Sequence, residues 1–388
     1  MKRHKIRFKD KPEDNYDIFI ERGILPEVCE IVRTSISDRR QAVVTDRNVV
    51  DAGHLRKLDP SRRLPTFVIE PDENKGIESK KNVQTYGEVI DFLDQNKFEK
   101  KDVLICLGGG VIGDLGGFVA LTYKRGKMVY IQIPTTSLSQ ADSCVGGKVA
   151  IDSFVSKNAA GGIYQPDFVV IDPTTLQTQD ERNYRLGLVE SVKHGVILDD
   201  KYFETIEHGI EKLLSRDLDL LEQIALRNVQ LKGNVIEKDP HDKNYRHSLN
   251  FGHTAGHAVE QTSGYRLYHG EAVALGMLAA SYISREFRGL PQDDFNRIRS
   301  LLVDGLGMPA KVPSDVDRAA VEDLLANDKK AIDGVPQFVT IDSLGKLHAE
   351  PVKGSKEGKY SSPVPKELVK EALDYIFFNP KTYILISK

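Results

Sequence analysis

Four of the chain's ten histidines lie in one short region, between residues 247 and 269. His253 and His257 are four residues apart, so on a helix their imidazoles share one face. His269 follows a short loop that contains Gly264, and the chain can fold back there beside His253. Two or three imidazoles with a carboxylate form a common catalytic Zn²⁺ set that leaves one position open. The region is therefore a candidate metal site; ordinary packing of two helical histidines is the alternative.

The carboxylate for such a set is available upstream. Glu190 and Lys193 are three residues apart in a segment that reads as a helix, so they also share one face. The histidine pair is not the zincin motif, because Thr254 stands where that motif needs glutamate directly after the first histidine. Arg246 and Asn250 precede the pair, and such a cluster is more typical of a polar pocket than of a core face.

Composition sets the broad class. The chain has 388 residues, of which 40% are hydrophobic and 29% charged, and its net charge of −3 gives no global basic field for nucleic acid. Three cysteines without CxxC spacing indicate neither a disulfide framework nor a cysteine zinc site. Residues 1–8 are basic but lack the apolar segment of a secretory signal, and no apolar run reaches about 18 residues. We therefore expect a cytoplasmic protein with no nucleic-acid or membrane partner.

The first half of the chain alternates short β-branched runs with helical or loop segments. The runs are apolar throughout, which is typical of parallel strands covered on both faces. This favours an α/β, Rossmann-like domain. The expected strands lie at residues 42–45, 66–69, 102–107, 129–133 and 168–171.

A glycine-rich stretch, GGGVIGD at residues 108–114, directly follows the third of these strands. Such a turn lets backbone N–H groups approach a diphosphate, and the following helix N-terminus favours negative charge. A tight turn that serves only helix packing is the alternative. Asp46 after the first strand could bind a ribose hydroxyl, and Asp72-Glu73-Asn74-Lys75 is a second candidate loop. Thr135 and Thr136 end the fourth strand at the edge where ligands of α/β proteins bind.

A second glycine-rich loop carries cations. Lys148 ends the stretch DSCVGGK, and Lys157 and Asn158 follow it. The loop is not a Walker A motif, because the first glycine is missing and Val149 follows the lysine. Two lysines and an asparagine suit an anionic small molecule; a solvated loop without a ligand is the alternative.

The pattern becomes mainly helical beyond residue 180, with apolar positions at helical spacing over residues 202–238. Residues 253–287, 293–305, 317–328 and 365–377 also read as helices, and 337–341 as a strand. We therefore expect a Rossmann-like nucleotide-binding domain over residues 1–180. A mainly α-helical domain over residues 181–388 should carry the metal site and much of the substrate site.

The motifs together resemble the sugar phosphate cyclase family, and within it the branch whose substrate carries a carboxylate. They occur in family order from about residue 40 to 335, which is far more specific than any one of them. The matching stretches are GGGVIGD (108–114), TYKRG (122–126), PTT (134–136), DSCVGGK (142–148), SKN (156–158), GLVESVK (187–193), RHSLNFGHTAGHAVE (246–260), HGEAVALGM (269–277) and DKK (328–330).

The resemblance implies two cofactors and a homodimer. Zn²⁺, or Co²⁺ in its place, would be held by Glu190, His253 and His269. NAD⁺ would be bound by residues of the first half of the chain. These are Asp46, Asn48, Glu73, Lys75, Gly109, Gly110, Val111, Asp114, Thr135, Thr136 and Thr178.

The resemblance also implies a reaction. The branch converts 3-deoxy-D-arabino-heptulosonate 7-phosphate into 3-dehydroquinate and phosphate, a step of the shikimate pathway. Oxidation by NAD⁺, elimination of phosphate, reduction and an intramolecular aldol cyclisation follow one another, so that NAD⁺ is regenerated. The chain would thus be a phosphate-eliminating carbon–oxygen lyase.

A substrate with a phosphate and a carboxylate requires several cations, and the matched positions supply them. Lys232 and Arg246 keep the family's 14-residue spacing on the carboxylate side, followed by Asn250. His257, Asn158 and Lys148 would surround the phosphate, and Asp142 would bind substrate hydroxyls. The remaining residues implied at the site are Lys193 as a catalytic residue, with Arg125, Lys157, Lys329 and Lys330 binding substrate.

The chain departs from the family pattern at two loops. The Gly-Glu-x-x-Lys nucleotide loop is matched only by Asp72–Lys75 with a shorter spacing, and Pro240 enters the loop before Arg246. A cyclase with a related carboxylate substrate, such as one that forms aminodehydroquinate, therefore remains an alternative. Cyclases that form 2-epi-5-epi-valiolone or 2-deoxy-scyllo-inosose are alternatives too, although their substrates lack the carboxylate and they tend to replace the set of Lys232, Arg246 and Asn250. Further alternatives are a metal- and NAD-dependent polyol dehydrogenase and a ligand-binding paralogue without activity.

Overall fold

The computed structural model describes residues 1–36, 39–327, 335–351 and 358–378. Lys329 and Lys330 lie outside the described residues, so the structure does not place these two predicted contacts. The strands are β1 (Lys2–Ile6), β2 (Tyr16–Ile20), β3 (Gln41–Asp46), β4 (Thr66–Ile69), β5 (Val103–Gly108), β6 (Val129–Pro134), β7 (Lys148–Ile151), β8 (Ala160–Ile163), β9 (Phe168–Ile171), β10 (Gln337–Phe338), β11 (Ile341–Ser343), β12 (Lys346–Leu347) and β13 (Ser362–Pro363). The α-helices are α1 (Val28–Ile36), α2 (Arg47–Asp51), α3 (His54–Leu58), α4 (Val83–Gln95), α5 (Gly110–Thr122), α6 (Glu181–Leu198), α7 (Asp200–His208), α8 (Ile210–Leu214), α9 (Leu218–Lys238), α10 (His253–Thr262), α11 (His269–Arg288), α12 (Gln292–Ser300), α13 (Arg318–Ala326) and α14 (Lys366–Phe377).

The chain divides into two compact units. The first comprises Met1–Tyr184 and Arg216–Glu237, and the second comprises Arg185–Ser215 and the described part of Lys238–Lys388. This division differs from the expected one, because Arg216–Glu237 groups with the first unit. Helix α9 buries Ala225, Val229 and Ile236 in one apolar cluster with residues of β1, β2 and β9. The apolar periodicity of this segment revealed a helix but not the surface on which it packs.

A seven-stranded sheet forms the centre of the first unit, in the order β1-β2-β9-β6-β5-β3-β4. All neighbouring pairs are parallel except β1 with β2. Gly108 pairs with Pro134, and Asp46 pairs with Ile69, each at the last residue of its strand. The register therefore brings Asp46, Gly109 and Thr135, which end or directly follow these strands, to the carboxyl edge of the sheet.

Alternate residues of the same strands belong to two apolar clusters. Leu104 and Cys106 of β5 lie in one cluster, while Ile105 and Leu107 lie in the other. Because successive side chains of a strand point to opposite faces, the sheet is covered on both. This explains the uninterrupted apolar runs in the sequence and confirms the α/β prediction for the first half.

The first unit contains strands that were not predicted, namely β1, β2 and the pair β7 and β8. Strand β1 is basic and pairs only with β2 at the edge of the sheet, so it lacks an apolar run. The stretch expected as a glycine-rich loop begins an antiparallel hairpin of β7 and β8, in which Lys148 pairs with Ile163.

The second unit is mainly helical, as predicted. Helices α10 and α11 pack closely, because Gly252, Gly256 and Gly276 let their backbones approach. The segment expected as one strand at 337–341 forms two short strands, β10 and β11. Over the described part of the chain, no helix combines the length and apolar character needed to cross a membrane.

Candidate functional site

Three helices of the second unit position the predicted metal ligands. Helix α6 carries Glu190, and α10 and α11 begin with His253 and His269. Gly252, directly before α10, has φ +79°, a left-handed conformation that glycine adopts without strain. The tight packing of α10 on α11 then sets the two histidines side by side. Their ring centroids are 5.5 Å apart, and His257 completes a group of three imidazoles within 5.8 Å of one another.

The ligand atoms converge. Oε1 of Glu190 lies 3.6 Å from Nε2 of His253 and 4.0 Å from Nε2 of His269. All three possible ligand atoms lie within 4.8 Å of one another. Ligands about 2.1 Å from a tetrahedral zinc ion are separated by roughly 3.4 Å, so the group needs only a small contraction.

The chemistry of Glu190 also fits a metal. Its side chain is buried, and neither carboxylate oxygen has a hydrogen-bond partner among the described residues. Lys193, on the next turn of α6, is equally buried and forms an ion pair with it. Lys193 pairs with Oε2, whereas Oε1 faces the two histidines, and a buried carboxylate oxygen without a hydrogen bond is costly unless a second cation compensates it. A divalent ion held by Glu190, His253 and His269 would supply that compensation.

The histidines differ in their surroundings. Burial, together with the charges of Lys193 and the neighbouring histidines, holds the pKa of His253 well below its ordinary value. The neutral imidazole is the form that binds a metal. Burial also lowers the pKa of His269, but the hydrogen bond with Glu260 and the charge of Glu190 outweigh it, so that pKa is raised.

Glu260 is a functional candidate that the sequence analysis did not single out. Its Oε2 lies 3.3 Å from Nδ1 of His269, on the side of the ring opposite the nitrogen that faces Glu190. Glu260 follows His253 by seven residues, which is two helical turns, so its position on the same face was readable from spacing.

The loop before Arg246 is held by a single carboxylate. Asp239 accepts hydrogen bonds from the backbone N–H groups of Lys243, Asn244 and Arg246 at 2.9, 2.7 and 3.0 Å. These three bonds fix the turn in spite of Pro240, which the sequence analysis marked as a departure. The Arg246 side chain is buried, while Asn250 at the end of the same turn is half-buried.

The predicted nucleotide-binding loop of the first unit lies where parallel-sheet ligands bind. Helix α5 begins at Gly110, directly after β5. A Cβ on Gly109 would lie 3.0 Å from Thr136, and one on Gly110 would lie 3.3 Å from the hydroxyl of Ser143. Side chains at these positions would fill the space in front of the helix, so glycine keeps the backbone N–H groups accessible to a diphosphate. Val111 is buried behind the loop and Thr135 is buried beside it.

Two further predicted contacts are anchored in the first unit. Asp46 is buried at the end of β3, accepts a hydrogen bond from the N–H of Val49, and begins α2. Burial raises the pKa of Asp46, while its backbone hydrogen bonds partly oppose this. Thr178 is exposed, and its hydroxyl lies 2.7 Å from Nε2 of the buried His54.

Lys81 is a second residue that the sequence analysis missed. Its buried ammonium lies 3.2 Å from Oδ2 of Asp114 and donates to Oδ1 of Asn158 at 2.8 Å. Burial raises the pKa of Asp114 to about 6, and Lys81 opposes part of that rise. Glu78 and Lys81 have the spacing of the family's Glu-x-x-Lys and follow Gly76 closely. That spacing was the available signal for this nucleotide loop.

By contrast, Glu73 and Lys75 are exposed in a turn closed by Asp72 and Gly76. They stay predictions as nucleotide contacts. Glu78, which is also exposed, and the buried Lys81 keep the family's spacing and are further candidates. Asn48, Arg125, Lys148, Lys157 and Asn158 are also exposed.

The remaining predicted substrate residues of the first unit form an ion pair. Lys232 of α9 is buried, and its ammonium lies 2.8 Å from Oδ1 of Asp142. Lys232 also donates to the backbone carbonyl of Asp142. The pair holds Asp142 in place and keeps a cation beside it.

Known proteins are similar to this chain in both sequence and fold. A family model described as 3-dehydroquinate synthase N-terminal matches residues 73–186, and one described as 3-dehydroquinate synthase C-terminal matches residues 187–331. A 3-dehydroquinate synthase of Desulforamulus reducens is 38% identical over 334 residues, which is 86% of this chain and 92% of that protein.

Solved structures agree on the architecture. A 2-deoxy-scyllo-inosose synthase, complexed with carbaglucose-6-phosphate, NAD⁺ and Co²⁺, is similar with a TM-score of 0.81 at 23% identity, covering 96% of this chain and 99% of that one. A 2-epi-5-epi-valiolone synthase of Streptomyces hygroscopicus subsp. jinggangensis, with NAD⁺ and Zn²⁺ bound, has a TM-score of 0.78 at 24% identity, covering 92% and 95%.

The fold and the matched family models define an enzyme of the sugar phosphate cyclase class, a phosphate-eliminating carbon–oxygen lyase. The resemblance inferred from the motifs is thereby confirmed. Within this class, the chain belongs to the 3-dehydroquinate synthase family.

Proposed function

We propose that this chain converts 3-deoxy-D-arabino-heptulosonate 7-phosphate into 3-dehydroquinate and phosphate. The observation that carries the proposal is the convergence of buried Glu190, His253 and His269, with Lys193 paired to the carboxylate. The family membership and the order of the matched motifs support the same reaction. Glu190, His253 and His269 would hold a Zn²⁺ or Co²⁺ ion, which would supply a Lewis acid for the substrate's hydroxyl oxygens, and bound NAD⁺ would supply a reversible hydride acceptor.

The chain's own residues orient the substrate at its two charged ends. Arg246 offers a planar guanidinium that can bind a carboxylate through two parallel hydrogen bonds. The carboxylate of Asp239 accepts three backbone hydrogen bonds from the loop and so holds the main chain of Arg246 in one position. A fixed main chain helps the guanidinium to orient the substrate. Lys232 and Asn250 would bind the same end, and Asp142 would accept hydrogen bonds from substrate hydroxyls.

Other polar and charged side chains would act at the phosphate. Lys148, Asn158 and His257 would bind it, and positive charge there stabilises the negative charge that the phosphate gains as its C–O bond breaks. Arg125, Lys157, Lys329 and Lys330 would add to this charge. Lys193 would hold the Glu190 carboxylate through their ion pair and could donate a hydrogen bond to a substrate oxygen.

NAD⁺ would bind at the carboxyl edge of the sheet. The glycines at 109 and 110 would admit the diphosphate, and Asp46 would accept from a ribose hydroxyl. Lys81 would hold Asp114 and Asn158, two predicted contacts, in fixed positions. A homodimer and a cytoplasmic location are part of the same proposal and rest on the resemblance.

The experiment is phosphate release across a substrate panel, with purified protein, NAD⁺ and Co²⁺ or Zn²⁺. The panel contains 3-deoxy-D-arabino-heptulosonate 7-phosphate, its amino analogue, sedoheptulose 7-phosphate and glucose 6-phosphate. Release from the first compound at a rate at least about tenfold above the others supports the proposal. Release from another sugar only would keep the class of enzyme and overturn the assignment of the carboxylate-binding residues.

A further inference from the structure

Glu260 lies next to His269 but is not one of the three proposed metal ligands, Glu190, His253 and His269. It is on the same face of α10 as His253 and His257, at positions separated by four and three residues. Its side chain is buried. A carboxylate in that position is expensive to desolvate unless hydrogen bonds compensate it, so its place beside His269 requires an explanation.

The two nitrogens of His269 face two different carboxylates. Nδ1 lies 3.3 Å from Oε2 of Glu260, whereas Nε2 lies 4.0 Å from Oε1 of Glu190. A carboxylate only accepts hydrogen bonds when ionised, so the contact with Glu260 requires a hydrogen on Nδ1. In the neutral ring this leaves the lone pair on Nε2, the nitrogen that points to Glu190.

His253 is arranged in the same way by a different acceptor. Its Nδ1 lies 3.2 Å from the carbonyl oxygen of Phe251, and its Nε2 lies 3.6 Å from Oε1 of Glu190. A carbonyl can only accept, so Nδ1 carries the hydrogen here as well. Both histidines therefore present Nε2 lone pairs toward the same carboxylate.

We propose that Glu260 is a positioning residue of the metal centre: it accepts the Nδ1 hydrogen of His269 and thereby directs Nε2 toward the metal. This inference rests on the proposed function, since it assumes a metal on Glu190, His253 and His269. A hydrogen bond to the outer nitrogen of a ligating histidine fixes its tautomer and ring orientation and raises its basicity.

A competing arrangement shares His269. Possible ligand atoms of His257, Glu260 and His269 also lie within 4.8 Å of one another, so this group could hold a metal of its own. In that case Nδ1 of His269 would be a ligand and could not donate to Glu260. The two arrangements differ in metal stoichiometry, one ion per chain against two.

The test is Co²⁺ affinity, measured by competition with a chelator on the full-length chain, together with stoichiometry and the visible absorption spectrum of bound Co²⁺. The variants are Glu260→Ala and Glu260→Gln. Glu286→Gln, an exposed glutamate on α11 that pairs with Arg285, is the matched control. His269→Ala is the variant that removes a proposed ligand outright.

The proposal predicts one Co²⁺ per wild-type chain. Glu260→Ala should bind about 10–100-fold more weakly with an altered spectrum, and Glu260→Gln should lose less because its amide oxygen still accepts. The control should match the wild type. Thermal unfolding of each metal-free variant separates a loss of fold from a loss of ligand orientation.

Three other outcomes would contradict the proposal, and each contradicts a different part of it. Unchanged affinity and spectrum in both Glu260 variants would refute the positioning role and leave the proposed function standing. Two ions in the wild type and one in Glu260→Ala would make Glu260 a ligand. No Co²⁺ binding by the wild type would refute the metal centre itself, and with it the proposed function.

Discussion

At the scale of single residues, several buried charged side chains of this chain form ion pairs. Glu190 and Lys193 lie one helical turn apart and are both buried. Desolvation of such a pair can cost more than the pairing stabilises, so a role in a site accounts for it better than stability does. In the first unit, the buried Lys232 and Lys81 pair with the half-buried Asp142 and Asp114. The family resemblance implies a role at the metal, nucleotide or substrate site for each of these residues except Lys81.

The carboxylate assignment predicts the effect of Arg246→Ala. Removing the guanidinium leaves the substrate carboxylate without its bidentate partner. The kcat/KM for 3-deoxy-D-arabino-heptulosonate 7-phosphate should therefore fall, by an amount that corresponds to a loss of about 2–4 kcal/mol of transition-state stabilisation. Lys243→Ala, an exposed cation in the same loop, is the control and should keep wild-type kinetics. Steady-state rates of phosphate release measure both. An Arg246→Ala enzyme of normal kcat/KM would place the carboxylate elsewhere.

Asp114 predicts a pH dependence of stability. Burial raises its pKa from 3.8 to about 6 in the folded chain, so the folded state holds the proton more tightly than the unfolded state. This carboxyl therefore favours folding at low pH, and its contribution is lost as the pH rises from 3.8 through about 6. The difference in Tm between wild type and Asp114→Asn should accordingly fall across that range and level off above it.

Thermal unfolding at a series of pH values measures this difference. Asp91→Asn removes an exposed carboxyl from the same unit and should show no such trend. A Tm difference that rises with pH would mean that the Lys81 ammonium, rather than burial, dominates the carboxyl of Asp114.

At the scale of elements, the contact between α10 and α11 sets the histidine geometry. A Cβ on Gly276 would overlap the carbonyl oxygen of Gly252 and lie 2.6 Å from the nitrogen of Gly256. We predict that Gly276→Ala forces the helices apart and costs about 3 kcal/mol of unfolding free energy. Because His253 directly follows Gly252, Co²⁺ affinity should fall as well.

Denaturant unfolding and chelator competition check this prediction. Gly87→Ala is the matched control, since a Cβ there meets nothing within 4 Å and the residue lies inside helix α4. That substitution should stabilise by about 0.5–1 kcal/mol through helix propensity. A Gly276→Ala protein as stable as the wild type would show that the two helices can separate without loss.

Elements were predictable where one residue pattern determines them. The strands ending at Asp46, Gly108 and Pro134 were readable because both faces of the sheet are covered. The family resemblance named Glu190, His253 and His269 together, and the structure brings their possible ligand atoms close to one another. Lys81 was missed although it keeps the family's Glu-x-x-Lys spacing with Glu78. What that spacing does not show is that its ammonium contacts Asp114, 33 residues away, and Asn158.

Whole-molecule organisation was the least predictable level. The helical pattern of residues 202–238 was continuous, yet the structure breaks it into three helices and groups Arg216–Glu237 with the first unit. Apolar spacing indicates that a helix has a buried face. It does not indicate which elements cover that face, which for α9 include β1, β2 and β9. Net charge was similarly uninformative, because a chain of −3 still concentrates cations among its proposed substrate-binding residues.

The most direct test is the balance of products over many turnovers. The chain is supplied with Co²⁺, excess 3-deoxy-D-arabino-heptulosonate 7-phosphate, and NAD⁺ equimolar with the protein, and phosphate, 3-dehydroquinate and NADH are measured together. We predict equal amounts of phosphate and 3-dehydroquinate, many per NAD⁺ molecule, with no accumulation of NADH. One NADH formed per substrate consumed, with turnover ending when NAD⁺ is exhausted, would instead identify a dehydrogenase and contradict the proposed function.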